Sequence, residues 1–146
     1  MIRARTGALL VVAASLVAGP VAAQEGFAGA IEAARQAWAA QDAEAILGAG
    51  RQVLLQLPDG EGRTAVSRAQ AIRLVERYLE GAEGVSVRVL QAREVRPGQG
   101  YVELLRTYRV AGTDEARSQR VLLAFRWEPE RGAWVLVELR VLVVPG

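Results

Sequence analysis

Hydrophobic and polar positions in this chain repeat with two different periods, and the change from one to the other divides it into a helical half and a strand half. Phe27, Ile31, Ala34 and Trp38 recur at i, i+4, i+7 and i+11, while Glu32, Arg35, Gln36 and Gln41 fall elsewhere, so the spacing predicts an amphipathic helix over residues 27–41. Asp42 stands where a helix N-cap should, ahead of a short helix through Leu47 that Gly48 and Gly50 end. Val53, Leu54, Leu55 and Leu57 predict a short apolar strand, stopped by Pro58-Asp59-Gly60, and residues 59–63 read as a polar loop. Ser67 with Gln70 three residues on is a capping-box pattern. It opens a predicted helix through Leu79, with Ile72, Val75 and Leu79 on one face, Ala71 and Tyr78 beside them, and Gly81 at C′.

Beyond Gly81 the period becomes two. Val85, Val87 and Val89 alternate with Ser86 and Arg88, a turn falls at Pro97-Gly98, and strands are predicted over 100–110, 117–127 and 134–143. The last two allow a register argument. Val121, Leu123, Phe125 and Trp127 form one apolar ladder, and Val135, Val137, Leu139 and Val141 form another. Side chains alternate across a sheet, so both ladders face the core only if paired residue numbers sum to an even value. A sum of 260 would set Arg120 against Arg140, and like charges directly opposite are disfavoured. A sum of 262 avoids this and pairs Leu123 with Leu139 and Phe125 with Val137. The expected architecture is α+β: a curved antiparallel sheet of about four strands packed on two to three N-terminal helices, all on one face.

Ahead of this domain, Arg3 and Arg5 precede an apolar run from Gly7 to Ala18, which Gly19 and Pro20 break before the small residues Val21-Ala22-Ala23. The pattern predicts a signal peptide over residues 1–23, cleaved before Gln24, leaving a single domain over 24–146 in a bacterial periplasm or secreted, with no membrane attachment. With no cysteine, neither a lipid anchor nor a disulfide is available. All 18 basic residues are arginine, against 16 acidic ones, and loss of Arg3 and Arg5 brings the two into balance. The basic residues are dispersed among acids, so no nucleic-acid partner is expected. Without His, Cys or Lys the chain lacks the commonest neutral-pH base and metal ligand, any thiol nucleophile and any Schiff-base amine. No cofactor, metal or catalytic residue is therefore assigned.

The helix bearing Trp38, the run Ala40-Gln41-Asp42 opening a short helix, the entry Ser67-Arg68-Ala69-Gln70-Ala71 and the long closing strands together resemble the nuclear transport factor 2-like (cystatin-like) superfamily. More narrowly, Ser67–Ala71 and Ala133–Leu142 resemble a family of exported bacterial domains of unknown function, DUF4783, over about residues 27–143. The resemblance implies a cone, a sheet wrapped around helices. Its members include isomerase-like and dehydratase-like enzymes as well as modules that only bind or associate, so it implies no single activity. The His–Asp pair of the dehydratase-like members has no counterpart here, and no isomerase-like catalytic set matches.

Strand 100–110 carries the candidate chemistry. Val102, Leu104, Arg106, Tyr108 and Val110 share one face, the more apolar, and Tyr101, Glu103, Leu105, Thr107 and Arg109 the other. If the first face is inner, Arg106 enters the cone and needs a carboxylate, its own or a ligand's. With Tyr108 and Tyr78 it would then hold a small apolar or carboxylate-bearing molecule by a bidentate contact. The alternatives put Arg106 at the solvated rim, or turn the strand over and make Glu103 a buried base. Trp134, Leu136 and Leu122 are expected on the outer sheet face as an apolar association surface, and the resemblance implies a homodimer there. The expected function is thus a non-enzymatic binding or association module. An isomerase- or hydrolase-like enzyme using a buried carboxylate and a purely homodimerising module are the alternatives.

Overall fold

The computed structural model describes residues 20–60 and 62–144, with side chains from Gly26 onward. Of the segment read as a signal, only Pro20–Ala23 fall within the described residues, where they open the first helix; residues 1–19 lie outside them. The elements run α1 (Pro20–Ala39), α2 (Ala43–Leu47), β1 (Gln52–Gln56), β2 (Thr64–Ser67), α3 (Arg68–Leu79), β3 (Ala82–Arg96), β4 (Gln99–Val110), β5 (Ala116–Glu128) and β6 (Ala133–Val143).

Local chemistry sets the helix ends. The Asp42 carboxylate accepts from the Ala45 amide at 3.2 Å and the Ser67 hydroxyl from that of Gln70 at 3.2 Å, each satisfying a donor that the first helical turn leaves open. Gly81 follows α3 at φ 78°, where a side chain would be strained. The apolar stripe of α3 is rotated slightly from the expected one. Ala71, Val75 and Leu79 are buried, and Ile72 only partly.

The strands form one curved, unclosed sheet in the order β2-β1-β6-β5-β4-β3, so it has six strands where about four were expected. It is also not wholly antiparallel, since β1 pairs in parallel with β6 (Leu55 beside Leu139). The two additions are short segments that gain strand structure from tertiary pairing: β1 zips along β6, and β2 along β1, which buries Val53, Leu55 and Val66. The ladders of β5 and β6 both face inward. Val121, Leu123, Leu139 and Val141 are buried together with Trp38, and α1 and α3 lie against the same face of the sheet.

Leu123 pairs with Leu139 and Val121 with Val141, as the charge argument required. A β-bulge between Ala124 and Phe125 then shifts the register by one. Phe125 meets Leu136 rather than Val137, and Trp127 meets Trp134. The bulge lets β6 bend with the curvature of the sheet, and it reverses which β6 side chains enter the core beyond it.

Candidate functional site

The alternation of β4 sends Val102, Leu104, Arg106 and Tyr108 inward, and the first three are almost wholly buried. Arg106 is only 1% exposed, so it stands not at a rim but among the core side chains, and arginine keeps its charge there. Among the described residues no carboxylate meets it. Its Nη1 donates to the Gln119 Oε1 at 3.1 Å and to the Tyr78 hydroxyl at 3.3 Å, its Nη2 donates to the Gln41 Oε1 at 3.1 Å, and its Nε is buried without a partner. The guanidinium carbon lies 4.3 Å from the centre of the Tyr108 ring and 5.4 Å from that of Tyr78. Quadrupoles and neutral dipoles thus solvate the cation, an arrangement that tempers an uncompensated buried charge without cancelling it.

Each partner is placed by a different element. Gln119 comes from β5, directly across from Arg106 in the register, and Tyr78 from the last turn of α3. Gln41 sits in the link between α1 and α2 at φ 54°, the one described non-glycine residue with a positive φ. The strained backbone aims its amide inward, where the nitrogen also reaches the Ala82 carbonyl at 3.4 Å.

On the side of Arg106 marked by Tyr78, Tyr108 and Gln119 a cleft of about 660 Å³ opens, which is the size of a small-molecule site. Leu55, Leu57, Val66, Leu74 and Val143 form its apolar wall, and Tyr78, Tyr108 and Gln119 its polar end. The mouth carries both signs of charge, Arg77 and Arg117 together with Asp59 and Glu80. Burial pushes the Tyr78 hydroxyl up to about 12 against the lesser, opposite pull of Arg106, so it is a neutral donor at any physiological pH.

The three residues expected to hold a ligand are therefore together, with one change of role. Tyr78 and Tyr108 line the cleft, whereas Arg106 lies one layer behind them with both terminal nitrogens engaged. A direct bidentate grip by Arg106 is not the geometry observed. Glu103 points from the opposite face of the sheet, where it is buried beneath an ion pair with Arg120 at 3.1 Å and a hydrogen bond from Gln91 at 2.8 Å. That is a structural pairing on the far side from the cleft.

The expected association surface is not assembled. Leu122 is half-buried on the outer face opposite Arg140, but Leu136 is in the core at 3% exposure. Trp134 packs inward, 4.7 Å from the Phe27 ring centre and 5.8 Å from that of Trp127. The bulge causes this, because it carries Leu136 and Trp134 from the outer ladder to the inner one. Among the described residues no group of three or more acidic, His or Cys side chains could hold a metal, and no helix is long and apolar enough to cross a membrane.

No family model and no curated protein matches the sequence. Solved structures do resemble the fold. A DUF4783 family protein from Bacteroides uniformis superposes with a TM-score of 0.62 at 17% identity, over 79% of this chain and 97% of its own. A ketosteroid isomerase-like protein from Erwinia carotovora atroseptica gives 0.67 at 15% identity, over 84% and 96%. A putative dehydratase of the NTF2-like family from Streptomyces avermitilis gives 0.62 at 17%, over 87% and 99%. The fold is thus NTF2-like, with DUF4783 proteins among its likenesses.

Proposed function

We propose that this domain is an exported binding module, which takes a small amphipathic molecule into the cleft between α3 and the inner face of the sheet. One observation carries the reading. A permanently charged guanidinium is buried beneath the cleft with no carboxylate among the described residues to meet it, beside an apolar wall of five aliphatic side chains. An unneutralised buried charge is costly, and a ligand that brings polar or negative character to that end while covering the aliphatic wall relieves both defects. Buried aliphatic surface contributes roughly 25 cal/mol per Å², which makes the tail as important as the head. Binding rather than catalysis fits the lining. Among the described residues the carboxylates that line it, Asp59 and Glu80, lie at the mouth, and the chain has no His or Cys to pair with them.

Thermal unfolding of the chain from Gln24 onward, in the presence of a series of medium-chain amphiphiles, tests the proposal. A ligand that binds only the folded state raises the midpoint in a saturable way. The rise should disappear in Leu74→Trp, which fills the apolar wall. No saturable rise with any chain length, or one that survives Leu74→Trp, would refute binding at this cleft.

A further inference from the structure

The arrangement around Arg106 also fixes the polarity of the two groups that face the ligand. A guanidinium has donors only, so every atom that bonds it must act as an acceptor. The Gln119 amide therefore spends its oxygen on Nη1, and its NH2 group remains for the cleft. The Tyr78 hydroxyl spends a lone pair on the same nitrogen, so its proton is directed elsewhere. Neither the Gln119 NH2 nor the Tyr78 proton has another partner among the described residues. Because both oxygens converge on one nitrogen, the two outward donors are neighbours at the polar end.

We infer that the molecule in the cleft carries a carboxylate head, held by the Tyr78 hydroxyl and the Gln119 amide as donors, with Arg106 acting through them as a positioning residue. The inference rests on the cleft being a small-molecule site, and deepens it by naming the head group. Arg106 does three things at once. It locks the Gln119 amide against the flip that would present an acceptor, it polarises both donors, and it supplies the positive field that an anion offsets. A head that is only a donor meets the Gln119 NH2 and the Tyr78 proton, which cannot accept from it, and an ammonium is repelled by Arg106 besides. A neutral hydroxyl can accept one bond but leaves the charge uncompensated.

Isothermal titration with octanoate, 1-octanol and octylamine tests this, because the three share a tail and differ in the head. Octanoate should bind at least about tenfold tighter than either analogue, the discrimination of roughly one charge-assisted hydrogen bond. Tyr78→Phe keeps the ring on Arg106 but removes the donor, and should weaken octanoate by about tenfold while changing 1-octanol less. Gln119→Glu gives Arg106 an internal counterion and removes the amide donor, so octanoate binding should fall below detection and octylamine should become the better ligand. Equal affinity for the three heads, or octanoate binding unchanged in both variants, would overturn the head-group assignment and leave the cleft intact as a site. Failure of all three to bind the parent protein would instead overturn the cleft itself.

Discussion

Replacing Gln119 with glutamate should stabilise the fold at neutral pH, although it adds a charge to a side chain that is only 7% exposed. Ordinarily such a substitution destabilises, because a carboxylate must be desolvated at a cost of several kcal/mol. Here the partner cation is already buried, so its own desolvation is present in both proteins and cancels. What remains is the cost for the new carboxylate against its attraction to Arg106, whose Nη1 lies 3.1 Å from the present amide oxygen. At an effective dielectric near 20, unit charges about 4 Å apart attract by roughly 4 kcal/mol, which offsets that cost. The existing bond already has a charged donor, and giving it a charged acceptor as well strengthens it by about 1 kcal/mol. The net expectation is a gain of about 1 kcal/mol, or a Tm higher by about 4 °C. Pairing with Arg106 holds the new carboxyl below the ~4.3 of an unfolded glutamate, so the gain is fully present above that pH and disappears as pH falls through the lower, folded value. Urea denaturation of both proteins at neutral pH and at about pH 3 measures this. A variant that is less stable at neutral pH and recovers on acidification would show a carboxyl buried without help from Arg106, and the premise of an uncompensated cation would fall.

Trp134→Glu should act as a core substitution, not as the loss of an association surface. It should cost about 3 kcal/mol or more in chemical denaturation, with no change in the molar mass of the folded protein by light scattering. At Gly100 an added Cβ would clash with the edge of the Phe27 ring, so Gly100→Ala should lower stability by about 1–3 kcal/mol through overpacking, read from the urea midpoint. In a phenolate absorbance titration Tyr78 should ionise near 12, a transition that Tyr78→Phe removes. Its raised folded value means that the stability it contributes is complete below the unfolded value of ~10 and is lost as pH rises through 12. If residues 1–23 are a cleaved signal, expression of the whole chain should yield, by mass spectrometry of the exported fraction, a protein that begins at Gln24; an intact Met1 there would refute the cleavage.

The parts of the fold that were legible in the sequence are those in which a local rule and the tertiary demand coincide. Asp42 and Ser67 cap their helices because short polar side chains ahead of apolar periodicity do so almost anywhere. The pairing of Leu123 with Leu139 was legible because its neighbour, a two-residue slip, would have set arginine against arginine. The bulge two residues later was not. Val135, Leu136 and Val137 are all apolar, so alternation carries no signal there, and the curvature of the whole sheet decides which of them turns inward. Thr64–Ser67 is too short and too polar to read as a strand, and becomes one only because β1 offers it an edge. On β4 parity grouped Val102, Leu104, Arg106 and Tyr108 on one face, the more apolar, but left open whether that face was the inner one, because each face carries a charged residue among apolar ones.

The partners of that arginine were hidden for a different reason. A buried cation leads one to look for a carboxylate, and the structure answers with Gln41 and Gln119, which come from a strained turn and from a neighbouring strand. The positive φ at Gln41 has no sequence signature, because glutamine is not a residue that prefers it. A glutamine opposite an inward arginine in a derived register would have been the one available clue.

Occupation of the cleft can be read residue by residue when the isotopically labelled protein is titrated with octanoate and followed by NMR. Saturable shifts are expected for the Gln119 side-chain NH2 and for residues along Leu55, Val66, Leu74 and Tyr78, with the outer-face residues Arg120 and Arg140 unmoved. Shifts that fail to saturate, or that centre on the outer face of the sheet, would contradict it.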